Sequence, residues 1–442
     1  MAILPRRLVV VLLVAVVAAA AAFQAHAQGD VWHEISKAGL RAAEEGRFRE
    51  AETRFREALQ LSDRFTDGDP RRATSVNNLA YILHAQGRYL AAEPHYREAL
   101  RMREAAFGPE HQDVAQSCNN LAEHAVELGR YSEAEPLHQR AIEIRESVFG
   151  AGHPELAQSL NNLGVLYASQ GRFADAEPLY VRALAIREQS FGADHLTTAE
   201  TRNNLATLYY AQGRYAEAEP LYRKALEVEE RERGPFHHSL ATTLSNLAEL
   251  YRVQSHYDKA IELHRRALEI RERALGADHP ETAQSLNNLA VVYFDTRQLD
   301  QAEEFYKRSI EIKEAALGGD HPELALTLNN LAELYRSQRR FDEAEPLYKR
   351  AIRIDEGALG PEHPNLALGL NNLALLHFDR GAYVDAESLL QRAIAIEEQA
   401  LGSDHPELIV TLENYAAVLR ELRRHGEAEQ VEARASALRA QL

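Results

Sequence analysis

Cysteine is almost absent from this 442-residue chain, in which Cys118 stands alone. One cysteine cannot form an intramolecular disulfide, so the fold must be stabilised by packing. Cys118 occupies a column of the sequence that otherwise holds apolar residues such as Leu160 and Leu328, which predicts a position in the core. Arg202 interrupts the same column, and the sequence offers no reason for it.

Basic residues are scarce relative to acidic ones, at 50 Lys and Arg against 67 Asp and Glu, for a formal net charge of −17. Phosphate binding requires a basic footprint, so nucleic acid is not expected as a partner. The sequence also lacks a phosphate loop, a zincin helix, a CxxC pair and a Ser-His-Asp order. We therefore expect no enzymatic activity, no metal and no cofactor.

Long apolar runs are confined to the N-terminus. Arg6 and Arg7 precede an apolar run over residues 8–23, and Ala25-His26-Ala27 follows it. This order predicts a secretory signal peptide over residues 1–27 and an exported protein, periplasmic or extracellular. The alternative is an uncleaved N-terminal membrane anchor, because the run is only a little short of a spanning helix. Nothing else in the sequence predicts a membrane span.

The sequence is highly repetitive. An Asn-Asn-Leu-Ala segment such as 329–332 recurs with a constant step of 42 residues, and no insertion or deletion interrupts it. The second asparagine of the pair is Asn78, Asn120, Asn162, Asn204, Asn246, Asn288, Asn330, Asn372 and Asn414. Repetition of this kind predicts one array over residues 32–442 rather than three separate domains.

Each repeat has a helical period. In the seventh of these nine copies, apolar residues spaced i, i+3, i+4 and i+7 over 328–335 predict one helix, and a similar stripe over 344–352 predicts a second. Asp342 with Glu345 fits a capping box at the start of the second helix. A single hairpin cannot cover its own apolar stripe, so neighbouring hairpins must stack. We predict an all-α solenoid of about ten hairpins, with divergent first and last copies.

The repeats resemble a known family. The tetratricopeptide-repeat signature is matched, in order, by Leu331, Ala332, Tyr335, Ala344, Tyr348 and Ala351. The 42-residue step, "LNNLA", "AEPLYKRA" and "DHPE" resemble the kinesin light chain version in particular. The resemblance covers residues 32–442 and implies a right-handed superhelical solenoid that acts as an adaptor, with a partner segment in its concave groove. Because an export signal precedes the repeats, a microtubule role is not expected.

First-helix asparagines help to hold the partner in that family. The resemblance therefore implies groove positions for the first asparagine of each pair, namely Asn77, Asn119, Asn161, Asn203, Asn287, Asn329 and Asn371. The fifth and ninth copies depart from the pattern with Ser245 and Glu413. The second asparagine is present in all nine copies, and we interpret it as a structural residue that bonds backbone within the array.

Further groove candidates follow the asparagines along the first helices. They are Tyr210, Arg252, Phe294, Arg336 and Phe378, which mix charge with aromatic rings. Such a surface fits a protein or peptide partner with apolar side chains and mixed charge. The alternative is an ordinary solvated face.

A histidine also recurs every 42 residues, from His111 to His405. Equivalent residues of successive hairpins should lie on the order of 10 Å apart, too far to share a metal at bonds of about 2 Å. The column is therefore interpreted as part of the linker, closing the turn before the next helix.

These patterns predict a non-catalytic scaffold or adaptor that binds a partner protein segment. Two other functions remain open. One is an architectural spacer in an envelope assembly, and the other is an enzyme built on the histidine and glutamate columns.

Overall fold

A computed structural model describes residues 29–66 and 68–440. Every regular element in these ranges is a helix, and successive helices pair into hairpins. The predicted signal peptide over residues 1–27 lies outside the described residues and stays a prediction. Among the described residues, no helix combines the length and the apolar character needed to cross a bilayer.

The chain divides into two compact units, one ending at Pro109 and the other beginning at Glu110. The first unit holds two hairpins, formed by α1 (29–44), α2 (Phe48–Ser62), α3 (Pro70–Ala85) and α4 (Tyr89–Phe107). The second unit holds eight hairpins, formed by α5 (Gln112–Glu127), α6 (Tyr131–Phe149), α7 (Pro154–Ser169), α8 (Phe173–Phe191), α9 (Leu196–Ala211), α10 (Tyr215–Arg233), α11 (Leu240–Val253), α12 (Tyr257–Leu275), α13 (Pro280–Asp295), α14 (Leu299–Leu317), α15 (Glu323–Ser337), α16 (Phe341–Leu359), α17 (Pro364–Asp379), α18 (Tyr383–Leu401), α19 (Leu408–Glu421) and α20 (His425–Arg439). The prediction of an all-α array of about ten hairpins is confirmed.

The predicted apolar stripes form the core. Leu331 and Tyr335 on α15 are buried, and so is Tyr348 on α16. They belong to one cluster of buried side chains that reaches from Leu289 on α13 to Ile396 on α18. The core therefore continues from one hairpin to the next, as expected of repeats that cannot bury their apolar face alone.

The second helices begin earlier than the capping box suggests. Helix α16 begins at Phe341, and its N-cap residue Arg340 makes no side-chain capping bond. The predicted capping box at Asp342 is therefore wrong, although a carboxylate in the first turn still favours the helix dipole. Arg340 instead donates to Glu303 of the preceding hairpin at 2.6 Å.

The histidine column closes the start of the first helix in each of the eight hairpins of the second unit. In all eight, the ring Nδ1 accepts the backbone N–H two residues later, at 3.1 to 3.3 Å. The residues are His111, His153, His195, His237, His279, His321, His363 and His405. Each bond satisfies one of the backbone donors that a helix start leaves unpaired. The predicted role in the linker is confirmed.

Two of these histidines also join distant parts of the second unit. The Nε2 atom of His363 lies 3.0 Å from the carbonyl oxygen of Glu127, and that of His405 lies 2.8 Å from the carbonyl oxygen of Gln170. Since Nδ1 accepts a backbone N–H in both rings, Nε2 carries the proton and donates. A hairpin turn therefore contacts a linker five hairpins further along the chain.

Cys118 and Arg202 share a column but have different surroundings. Cys118 is fully buried, which confirms the predicted core position. Arg202 is also buried, and its guanidinium donates to the carbonyl oxygen of Ala193 and to Glu188, both at 2.6 Å. Burial of this cation is tolerated because both partners are acceptors and one is charged.

Candidate partner-binding surface

The first asparagine of each pair lies inside the stack. Asn119, Asn161, Asn287, Asn329 and Asn371 are between 1% and 7% exposed, and Asn77 and Asn203 are half-buried. This placement differs from the prediction that these side chains line an open groove. A side chain with so little exposed surface cannot present its amide to a partner without local rearrangement.

The buried asparagines join one hairpin to the next. The Oδ1 atom of Asn161 accepts from Asn204 Nδ2 at 2.9 Å, and that of Asn371 accepts from Asn414 Nδ2 at 2.8 Å. The pairs Asn203 with Asn246 and Asn287 with Asn330 repeat this bond at 3.2 and 3.1 Å. Each bond links residues 43 positions apart, so the first asparagine serves the stacking of hairpins.

The second asparagine is the more accessible member of the pair. In the second unit each second asparagine is half-buried, and the residue four positions earlier lies one turn away on the same side of its helix. We call this surface the first-helix face. In order along the second unit it consists of Gln116 and Asn120, Gln158 and Asn162, Glu200 and Asn204, Thr242 and Asn246, Gln284 and Asn288, Leu326 and Asn330, Leu368 and Asn372, and Val410 and Asn414.

The character of the first-helix face changes along the array. In its polar part, Gln116, Gln158 and Gln284 donate to the asparagine four residues later at 2.7 to 2.9 Å. In the last three hairpins, the equivalent residues are apolar. Leu326, Leu368 and Val410 are 46%, 51% and 59% exposed. Single exposed apolar residues are ordinary, but three at one register of three successive first helices form an apolar row.

Arg252 and Arg336 bridge successive hairpins. Arg252 bonds Glu249 at 2.6 Å and Asp295 of the next hairpin at 2.5 Å. Arg336 contacts Glu333 at 2.7 Å and Asp379 at 2.5 Å in the same way. The hydrogen bonds to Glu249 and to Glu333 raise the pKa of Arg252 and Arg336, respectively. Both guanidinium groups thus have acceptors within the array.

The three aromatic candidates also pack against the array. Burial raises the pKa of Tyr210 to about 12, and its hydroxyl donates to Glu249 at 3.3 Å. Phe294 and Phe378 are half-buried and lie against two different core clusters. Of the predicted groove residues, Asn161 and Asn203 line one cavity, and the others are distributed between the inside of the stack and its rim.

Comparison with known proteins identifies the family. The tetratricopeptide repeat profile matches in nine overlapping segments, at 36–105, 71–147, 113–189, 155–231, 197–273, 239–315, 281–357, 323–396 and 365–441. The chain belongs to the tetratricopeptide repeat family. No curated protein matches this tetratricopeptide repeat chain.

Solved structures of tetratricopeptide repeat proteins are among its neighbours, including kinesin light chain-like ones. BtubC (BKLC) from P. vanneervenii is 26% identical over 53% of this chain and 93% of its own, with a TM-score of 0.43. A putative kinesin light chain with nearly identical TPR-like repeats from Podosopora anserina is 24% identical over 47% and 98%, with a TM-score of 0.40. A Rap protein complexed with Competence and Sporulation Factor is 17% identical over 82% and 99%, with a TM-score of 0.50, which shows a shared fold.

Proposed function

We propose that this chain is a non-catalytic scaffold that binds a segment of a partner protein on its first-helix face. The observation that carries this proposal is the apolar row of Leu326, Leu368 and Val410. A half-buried amide accompanies each of these side chains, from Asn330, Asn372 and Asn414. Peptide-binding surfaces combine two components. One is a set of apolar contacts for the peptide's side chains, and the other is a set of polar groups that form hydrogen bonds with its backbone.

The spacing of the row favours an extended partner. Equivalent helices of successive hairpins lie on the order of 10 Å apart. An extended chain of the polyproline II type covers that distance in about three residues, at roughly 3.1 Å per residue, and its side chains return to the same side every three residues. A carboxamide both donates and accepts, so the asparagines can bond peptide groups whatever the partner's side chains are. We therefore infer a partner segment with an apolar residue at about every third position.

The place of action follows from the signal peptide predicted over residues 1–27. Under this proposal the mature protein begins near residue 28 and meets its partner in the periplasm or outside the cell. The Rap protein complexed with Competence and Sporulation Factor is an example of a related fold with a bound molecule. It supports a binding role in general and names no partner for this chain.

The test compares two triple variants of the residue 28–442 protein. Leu326→Gln, Leu368→Gln and Val410→Thr together remove the apolar row. Val148→Thr, Val181→Thr and Val384→Thr remove three exposed side chains from second helices, at 48%, 46% and 69% exposure. Partners captured by the unchanged protein from an envelope extract are identified, and their affinity for each variant is measured.

We expect the first triple variant to lose at least about tenfold in affinity, which corresponds to about 1.4 kcal/mol, and the second to bind normally. Both sets of residues are exposed, so little change in stability is expected from either. If both variants bind every captured partner equally, the proposal is wrong and a spacer role gains support.

A further inference from the structure

The second helices of the second unit carry a column of buried charges. Counting in steps of 42 residues, the column begins with cations at Arg145 and Arg187 and continues with cations at Arg271 and Lys313. These four residues are between 0% and 6% exposed. Three further positions of the column are acids, Glu229, Asp355 and Glu397, which are also between 4% and 8% exposed.

The buried cations bond three neighbours at fixed offsets. Arg187 donates to the carbonyl oxygen of Thr197 and the hydroxyl of Thr201, both at 2.7 Å, and to Gln158 Oε1 at 2.5 Å. Lys313 makes the same three contacts at 2.9 to 3.3 Å, with residues at the same offsets of +10, +14 and −29. Each cation thus holds the first helix of its own hairpin to the start of the next.

Glu229 reverses the charge at this position. The residues at the same three offsets are Ser239, Thr243 and Glu200, so the place of the missing cation is bordered by acceptors. The hydroxyl of Thr243 donates to Glu229 Oε1 at 3.2 Å. The other carboxyl oxygen, Oε2, is buried and has no hydrogen-bond partner within the described part of the chain. A buried acceptor without a partner costs free energy unless a ligand supplies the donor.

A cavity of about 460 Å³ adjoins this carboxyl group. Its wall includes Glu200 and Glu281 as further acids, and Arg187, Arg233 and His238 as basic groups. Arg187 donates to its own three acceptors at 2.5 to 2.7 Å. The contacts of Glu200 with the two arginines are long, at 4.0 Å to Arg187 and 3.8 Å to Arg233. Gln158, Glu200 and Thr242 also line it, so the cavity opens on the first-helix face.

We propose that this cavity binds the guanidinium group of an arginine side chain, with Glu229 and Glu200 as acceptors. The partner would supply the cation that the array provides itself at the equivalent positions. Guanidinium is favoured over ammonium because its planar fork can bond two acceptors at once, as Arg187 does. This inference rests on the proposed function, since it makes the arginine part of the segment bound on the first-helix face.

The probe for the test is N-acetyl-argininamide, and its neutral isostere N-acetyl-citrullinamide is the control ligand. Binding to the residue 28–442 protein is followed by titration calorimetry and by saturation-transfer NMR. We expect saturable binding of the arginine probe and at least about tenfold weaker binding of the citrulline probe. Equal binding of the two probes, or no saturable binding of either, overturns the proposal.

Three variants locate the site. Glu229→Arg restores the residue found at the Arg187 and Arg271 positions, so the protein should fold while its own guanidinium fills the cavity and abolishes binding of the probe. Glu229→Gln should weaken binding at least about tenfold. Glu227→Gln removes an exposed carboxylate two residues earlier on the same helix and should leave binding unchanged. Normal binding by folded Glu229→Arg protein contradicts the site.

The outcome is separable from that of the proposed function. The triple variant at Leu326, Leu368 and Val410 should still bind the arginine probe, because its substitutions are at least two hairpins away from Glu229. If partner capture depends on the apolar row but is indifferent to Glu229→Arg, the arginine site is wrong and the scaffold function stands.

Discussion

Pro364 occupies the space that a side chain on Gly129 would need. A Cβ atom added to Gly129 would lie 2.6 Å from Pro364 Cδ, which is closer than side chains approach one another. The neighbouring His363 donates to the carbonyl oxygen of Glu127 at 3.0 Å. Gly171 is the equivalent glycine of the next repeat, and a Cβ atom added to it would lie 2.9 Å from His405 Nε2. Residues about 235 positions apart in the second unit thus contact one another. We call the two parts of the array that meet there successive coils.

Gly129→Ala combined with Gly171→Ala should open these contacts between coils. Both glycines have positive φ angles, +66° and +65°, so each substitution adds backbone strain of about 1 kcal/mol besides the clash. Hydrogen exchange at residues 127–130 and 363–366 should become faster, and the radius of gyration from X-ray scattering should rise.

The matched control is Gly213→Ala. Gly213 also has a positive φ, +71°, but a Cβ there meets nothing within 4 Å. It should lose only the roughly 1 kcal/mol of one backbone strain, with no change in scattering. Should the double variant scatter like the control, the contacts between coils are not closed in solution.

Asn161→Ala should destabilise the array more than Asn204→Ala. Asn161 is buried and its Oδ1 accepts from Asn204 Nδ2, whereas Asn204 is half-buried and can bond water when that partner is removed. We expect losses of about 1–3 kcal/mol for Asn161→Ala and less than about 1 kcal/mol for Asn204→Ala in urea unfolding. The double variant should show a coupling energy of at least about 0.5 kcal/mol. Additive losses would mean that the bond between the two amides contributes nothing.

Stability should fall between about pH 4 and pH 7 because of Glu397. Burial raises the pKa of Glu397 from 4.5 to about 7 in the folded state. The folded protein therefore holds a proton that the unfolded chain has lost, and the free energy of unfolding decreases as pH rises through this window. Glu397→Gln stays neutral, so its stability relative to the unchanged protein should increase with pH, by an amount on the order of 1–3 kcal/mol at pH 8. Parallel stability curves for the two proteins would contradict this assignment.

Asp355 should also lower the free energy of unfolding as the pH rises, because burial raises its pKa to about 7. Asp355→Asn should therefore also be less pH-dependent than the unchanged protein. The equivalent cations Arg145 and Arg187 have pKa values lowered by burial, so burial in this column disfavours the charged form of acids and bases alike.

The sequence predicted the hairpins, their number, the core stripes and the linker role of the histidines, because each depends on a period that is kept in at least eight of the ten hairpins. It did not predict which asparagine of the pair is buried. Adjacent residues on a helix differ by about 100° in direction, and both asparagines lie near the border between the buried and the open side. At such a border, the repeat pattern alone cannot tell the buried side chain from its neighbour.

Two other features of the structure have a signal in the sequence. Arg252 and Arg336 each have an acid 43 residues later, Asp295 and Asp379, which is the offset of the amide bonds between hairpins. When the repeats are aligned in steps of 42 residues, the position that holds Arg187 in one repeat holds Glu229 in the next, and this reversal of charge is visible in the sequence. The contact of His363 with Glu127 had no such signal, because it depends on the sum of small rotations over five hairpins.

The most direct test of the binding surface is a photoreactive crosslinker placed at Leu368 and, in a second protein, at Val384. Both side chains are exposed in the same hairpin, but Leu368 lies on the first-helix face of α17 and Val384 lies on the second helix, α18. We expect irradiation of the 28–442 protein in an envelope extract to join a partner segment to position 368 and to leave position 384 without that product. The same crosslinked product at both positions, or at 384 alone, would contradict this expectation.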